Sequence, residues 1–119
     1  MCVKILIVED EAITAMDLKY SLQDLGYDVV GEADTGPDAI DACHELKPDV
    51  VLMDIKLKGS MEGTEAGQAI SKLGIHVIFV SANTDMGTIE ESHIGNYAFV
   101  SKPFDIVQLN ETIKKVVND

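Results

Sequence analysis

Basic residues are scarce in this sequence of 119 residues, in which nine lysines and arginines stand against 21 aspartates and glutamates. The formal net charge is −12. Such an excess of carboxylates repels nucleic-acid phosphates and anionic lipid, so we expect neither direct nucleic-acid binding nor binding to a membrane surface. Part of this charge forms an acidic cluster near the N-terminus, which we interpret below as more than a contribution to solubility.

Cysteines are few and long apolar runs are absent. Cys2 and Cys43 lack the spacing of metal ligands, and two thiols do not make a disulfide framework, so we expect free thiols in a reducing cytoplasm. The first apolar run ends at Glu9, too early for a secretory signal, and no run approaches the roughly 20 residues that span a bilayer. A length of 119 residues fits one domain, and a 46% share of apolar residues is enough to form its core. We therefore expect one globular domain over residues 1–119.

Short apolar runs rich in valine and isoleucine recur along the chain, at residues 3–8, 27–31, 50–53, 77–80 and 97–100. Four of them are nearly continuous, and such runs are typical of strands that are buried on both faces in a parallel sheet. Amphipathic segments of helix length separate them, with boundaries marked by Gly26, Pro37, Pro48 and Gly74. The fourth such segment, residues 84–93, has poor helix propensity, and we expect a short or mobile helix there.

A strand followed by a helix, repeated five times, predicts a flavodoxin-like (βα)5 α/β fold. Right-handed crossovers place helices on both faces of a parallel five-stranded sheet, and the strand order 2-1-3-4-5 suits this length. Ligands bind such sheets beyond the carboxyl ends of the strands, where the strand order reverses. The residues that follow each strand are therefore the candidates for function.

Carboxylate, hydroxyl and ammonium side chains follow the strands at that edge. Glu9 and Asp10 follow the first strand, Asp54 the third, Ser81 the fourth and Lys102 the fifth. Two carboxylates about 4 Å apart repel by roughly 4 kcal/mol at an effective dielectric of 20, which favours a bound hard cation such as Mg²⁺. Asp54 would then be a nucleophile that forms an aspartyl-phosphate, with Lys102 balancing the charge and Ser81 donating a hydrogen bond.

Simpler interpretations exist for each residue taken alone. Glu9 and Asp10 would also fit an acidic helix start, which the helix dipole favours. Asp54 would fit a turn cap, Ser81 a loop hydroxyl, and Phe99 the core of an edge strand. Only the ordered set, with each residue at its own strand end, favours the functional interpretation.

Four stretches carry a family resemblance: residues 5–11 (ILIVEDE), 48–54 (PDVVLMD), 78–82 (IFVSA) and 99–104 (FVSKPF). With them the chain resembles, over essentially its whole length, the receiver domain of two-component response regulators, and the chemotaxis regulator in particular. The resemblance implies that Asp54 is the phosphoacceptor and that Asp10 binds Mg²⁺ directly. It also implies that Glu9 holds metal-bound water and that the backbone carbonyl of Lys56 is a further ligand.

The same resemblance implies a switch rather than a conventional enzyme, one that catalyses only its own Mg²⁺-dependent phosphorylation and dephosphorylation. Lys102 would bind the phosphoryl group, while Ser81 and Phe99 would change position. The surface of the fourth helix, fifth strand and fifth helix would then bind a downstream target or a second copy. The phosphoryl donor would be a sensor histidine kinase or a phosphotransfer protein.

Two other functions remain open at this stage. The chain would also fit a pseudo-receiver, an interaction module that keeps the fold without phosphorylation, although the complete residue set argues against it. A flavin or dinucleotide enzyme on the same fold needs a glycine- or hydroxyl-rich phosphate loop after the first strand. The sequence has Glu-Asp-Glu there, which repels a phosphate unless a metal is present.

Overall fold

The computed structural model describes residues 3–55, 59, 61, 63–81, 97–101 and 105–117, and within these it does not describe the side chains of Thr64, Ser81, Tyr97, Phe99 and Ser101. Five strands and four helices lie in these ranges. They are β1 (Lys4–Val8), α1 (Ala12–Asp24), β2 (Asp28–Ala33), α2 (Gly36–Leu46), β3 (Val50–Asp54), α3 (Gly63–Ser71), β4 (His76–Ser81), β5 (Tyr97–Ser101) and α4 (Ile106–Val117). The helix predicted at residues 84–93 lies outside the described residues.

The strands form one parallel sheet in the order β2-β1-β3-β4-β5, which confirms the predicted flavodoxin-like fold. Val8 pairs with Ala33 on one side and with Met53 on the other. Asp54 pairs with Val80 on the neighbouring strand. The carboxyl ends of the central strands therefore meet at one edge of the sheet.

Alternation along the strands divides the core between the two faces of the sheet. In β1, Leu6 and Val8 pack with the buried residues of α2 and α3. Ile5 and Ile7 point to the other face and pack with α1 and α4. Successive side chains of a strand point to opposite faces of the sheet. Both faces are apolar because helices pack on both of them. This explains why β1 and β3 appear in the sequence as continuous apolar runs rather than alternating ones.

The helix boundaries follow the predicted signals closely. Gly26 has a φ of 95°, a left-handed conformation that glycine adopts without strain, and it lies just beyond α1. Pro37 lies in the first turn of α2, where Thr35 Oγ1 accepts a hydrogen bond from the Asp38 amide at 3.2 Å. Leu25 lies just past the end of α1 and is exposed, although its spacing from the buried Leu18 and Leu22 would place it on the apolar side of a longer helix.

Helices long and apolar enough to cross a bilayer are absent from the part of the chain that the structure describes.

Candidate functional site

Three carboxylates come together at the carboxyl edge of the sheet. Glu9, Asp10 and Asp54 each present an oxygen, and these oxygens all lie within 4.8 Å of one another. Glu9 is 8% exposed and Asp54 is 7% exposed, while Asp10 is half-buried at the surface of the cluster. Aspartate and glutamate side chains are seldom buried in proteins, so two buried carboxylates beside a third are chemically distinctive.

Backbone pairing and the start of α1 fix the position of Glu9. Its amide donates to the Ala33 carbonyl oxygen at 3.0 Å, which extends the β1–β2 pairing by one residue. Its Oε1 accepts from the Glu11 amide at 3.2 Å, at the residue that precedes α1. Asp10 lies between these two anchored residues, in the turn that leads from strand to helix.

The first residue of α3 packs directly against the strand end that carries Asp54. The Gly63 amide donates to the Ile55 carbonyl oxygen at 2.9 Å. A β-carbon at residue 63 would lie 2.2 Å from the Asp54 carbonyl oxygen and 2.7 Å from the Ile55 α-carbon. Glycine is therefore required here by the close approach of two backbones.

The electrostatics of the cluster favour a bound cation. Two unit charges 4.8 Å apart repel by about 3–4 kcal/mol at an effective dielectric of 20. A divalent cation would convert this repulsion into attraction, and a set of carboxylate oxygens is the donor set that Mg²⁺ prefers. The residues present thus fit a magnesium ion, with a carboxylate beside it that can act as a nucleophile.

Comparison with known proteins shows which family the chain belongs to. The family model of the response regulator receiver domain matches residues 5–114. The chain belongs to the receiver domain family. The matched segment includes the carboxylate cluster, all five strands except Lys4 at the start of β1, and most of α4.

Individual relatives agree with this assignment. The chemotaxis protein CheY of Thermotoga maritima is 37% identical, and the match covers 95% of this chain and 96% of that protein. The transcriptional regulatory protein PdtaR of Mycobacterium tuberculosis is 35% identical over 97% of this chain, but the chain spans only 57% of the length of PdtaR. A solved structure, the signal receiver domain of a modulated diguanylate cyclase from Desulfovibrio desulfuricans G20, superposes with a TM-score of 0.91 at 30% identity. That match covers 99% of this chain and 95% of the solved one.

The structure brings together three of the residues that the sequence predicts for the site of this receiver domain, namely Glu9, Asp10 and Asp54. Ser81 is the last residue of β4, and its backbone pairs with Ser101. Phe99 pairs with Phe79 in the middle of β5.

The remaining site predictions fall on parts of the chain that are not described. The side chains of Ser81 and Phe99 are not described, and Lys56 and Lys102 lie outside the described residues altogether. The roles assigned to these four residues therefore stay predictions.

Gly63 lies against the strand end that carries Asp54, and the sequence interpretation did not include it in the site. The available signal was a glycine between a functional strand end and the following helix, a place where backbones commonly approach closely. The Met61 Sδ would lie 2.7 Å from a β-carbon at Gly36, so Met61 packs against the first residue of α2.

Proposed function

We propose that this receiver domain is a phosphorylation-dependent signalling switch in which Asp54 accepts a phosphoryl group. The observation that carries the proposal is the meeting of Glu9, Asp10 and Asp54 within 4.8 Å of one another. In the proposed site Asp10, Asp54 and the backbone carbonyl of Lys56 bind the metal directly, and Glu9 holds metal-bound water. A bound Mg²⁺ would neutralise the charge that develops on the transferring phosphoryl group.

Asp54 performs the chemical step in this proposal. One of its carboxylate oxygens attacks the phosphorus of a phosphohistidine, and the new P–O bond forms as the P–N bond breaks. The electron pair of the broken bond returns to the histidine nitrogen of the donor, and the product is an aspartyl-phosphate. Gly63 supports the step as a positioning residue, because its contact with the Asp54 backbone fixes the end of β3.

The proposed switch responds to phosphorylation through Lys102, Ser81 and Phe99. The Lys102 ammonium group balances the phosphoryl charge, and the Ser81 hydroxyl donates a hydrogen bond to a phosphoryl oxygen. As Ser81 moves toward the phosphoryl group, Phe99 turns inward into the space that it leaves. The surface formed by residues 84–93, β5 and α4 changes as a result, and a downstream target or a second copy of the domain binds there.

The proposed donor is a sensor histidine kinase or a phosphotransfer protein in the cytoplasm. The receiver domain in this proposal comprises residues 1–119 as one folding unit. The acidic surface supports the expectation that the domain does not bind nucleic acid directly, since phosphate backbones are repelled by the net charge of −12.

Intact-protein mass spectrometry after incubation with phosphoramidate tests the proposal. We expect one phosphoryl group in the wild type, only with Mg²⁺ present, and none in Asp54→Asn. Asp24→Asn is the matched control, because Asp24 is exposed at the far end of α1, and it should be phosphorylated like the wild type. Phosphorylation of Asp54→Asn at the wild-type level would refute the assignment. A wild type that takes up neither Mg²⁺ nor phosphoryl group would establish the pseudo-receiver alternative instead.

A further inference from the structure

A groove with a volume of about 690 Å³ lies between α1 and α2 and crosses the carboxyl end of β2. β2 is one of the two edge strands of the sheet and pairs only with β1. One end of the groove reaches Glu9 and Asp10, and from there it extends between the two helices. The walls beyond those two residues have no role in the phosphorylation chemistry proposed above.

The α1 wall of this groove is mostly apolar and exposed, with Lys19 as its one charged residue. Ala12, Met16 and Tyr20 line it at a spacing of four residues, which places them on one side of the helix. Met16 is 53% exposed and Tyr20 is 63% exposed. This wall spans about two helical turns, or roughly 12 Å at 1.5 Å per residue. Exposed large apolar side chains grouped beside a groove are typical of an interaction site.

The α2 wall is acidic. Asp38, Asp41 and Glu45 line it at spacings of three and four residues, and all three are exposed. Glu32 and Asp34 add two more carboxyl groups at the end of β2. Among the described residues that line the groove, Lys19 is the only basic one. An apolar wall therefore faces a row of negative charges across the groove.

We propose that this groove binds a basic amphipathic helix of a partner protein. Apolar side chains of that helix would pack against Met16 and Tyr20, and its lysines or arginines, spaced three or four residues apart, would face Asp38, Asp41 and Glu45. A second copy of this chain is a poor occupant, because it would bring a net charge of −12 against the same acidic wall. Nucleic acid and anionic lipid are disfavoured for the same reason.

Fluorescence anisotropy with a labelled synthetic peptide tests this surface on the full chain. The probe is a peptide of leucine, alanine and lysine, about 18 residues long so that it is helical by itself, with leucine on one face and lysine beside it. The comparison peptide has the same composition in a scrambled order without an apolar face. We expect the amphipathic peptide to bind, and the scrambled peptide to bind at least about tenfold more weakly because it cannot bury an apolar stripe.

Two triple variants with equal changes in net charge locate the binding. Asp38→Lys with Asp41→Lys and Glu45→Lys reverses the acidic wall. The control, Asp17→Lys with Asp24→Lys and Glu65→Lys, alters exposed residues that do not line the groove. We expect about tenfold weaker binding for the wall variant, from three exposed ion pairs, and less than about threefold for the control. Equal weakening by both would show attraction to overall charge and overturn the proposal.

A further pair of variants tests the apolar wall without changing charge. Met16→Ser with Tyr20→Ser removes the exposed apolar side chains, and we expect it to weaken binding at least about fivefold. Ile13→Ser is the control, because Ile13 is exposed on α1 but does not line the groove. Unchanged binding in the double variant would overturn the proposal. Asp54→Asn should bind the peptide like the wild type, which separates this surface from the phosphoacceptor function.

Discussion

The backbone of Asp54 and the α-carbon of Gly63 are in such close contact that a β-carbon on residue 63 would lie 2.2 Å from the Asp54 carbonyl oxygen. The Gly63 amide also donates to the carbonyl of the next residue, Ile55, at 2.9 Å. The position of the Asp54 backbone therefore depends on a residue nine positions further along the chain. Any side chain at residue 63 must displace either the helix or the strand end.

Gly63→Ala should reduce both stability and metal binding. The clash is with backbone atoms that cannot rotate away, so we expect a loss of about 1–3 kcal/mol in the free energy of unfolding. Urea denaturation measures that loss, and calorimetric titration with Mg²⁺ measures the weakened site. Gly74→Ala is the matched control, because its φ of 83° costs about 1–2 kcal/mol with no contact near the carboxylates. If Gly63→Ala and Gly74→Ala bind Mg²⁺ equally well, the contact does not position the site.

Asp10→Asn should stabilise the metal-free protein and reduce its response to magnesium. The substitution removes one of three neighbouring negative charges, and we expect the metal-free free energy of unfolding to rise by about 1–3 kcal/mol after allowance for solvent screening. Added Mg²⁺ should stabilise the wild type more than the variant, because a ligand that binds the folded state more tightly raises stability more, with the logarithm of its affinity. Urea denaturation with and without Mg²⁺ at constant ionic strength measures both effects. Asp17→Asn is the exposed control, and a variant that responds to Mg²⁺ like the wild type contradicts the proposed ligand set.

Cys43 should make stability depend on pH in the alkaline range. Cys43 lies on the buried side of α2, and its side chain is only 1% exposed. Burial raises the pKa of the thiol from 9.0 to about 11. The unfolded chain loses this proton at lower pH than the folded one. The contribution is therefore fully present below pH 9 and is lost as the pH rises to about 11, with a total loss of about 3 kcal/mol. Urea denaturation of the wild type and of Cys43→Ala at several pH values isolates it, and parallel stability curves would refute it.

Tyr27 should anchor α4 through its hydroxyl group. Tyr27 Oη donates a hydrogen bond to Asn110 Oδ1 on α4. Burial, and then the nearby Glu111 carboxylate, raise the pKa of the phenol above its usual 10.0. Tyr27→Phe should cost about 0.5–1.5 kcal/mol near neutral pH. This difference should shrink above pH 10, since the stability linked to a raised phenol pKa is lost as the pH rises. Thermal denaturation measures it, with Tyr20→Phe, at an exposed position, expected to change nothing.

Local patterns were sufficient to predict the architecture. Continuous Val- and Ile-rich runs predicted buried parallel strands because both faces of this sheet are covered by helices. Gly26 predicted a helix end because glycine adopts the left-handed conformation without strain. Pro37 predicted a helix start because its restricted φ suits the first turn. Leu25 shows the limit of such reasoning, because helical spacing cannot tell where a helix stops relative to the core.

The sequence by itself determined the order of strands and helices along the chain and the identity of Glu9, Asp10 and Asp54 as strand-end carboxylates, because continuous apolar runs and the helical period of 3.6 residues are local properties. Only the tertiary structure decided that these carboxylates lie within 4.8 Å of one another and that Gly63 closes against Asp54. It alone also placed the exposed apolar side of α1 opposite the acidic side of α2. These are relationships between residues distant in sequence, and they arise from packing between elements rather than from the conformational preferences within any one of them.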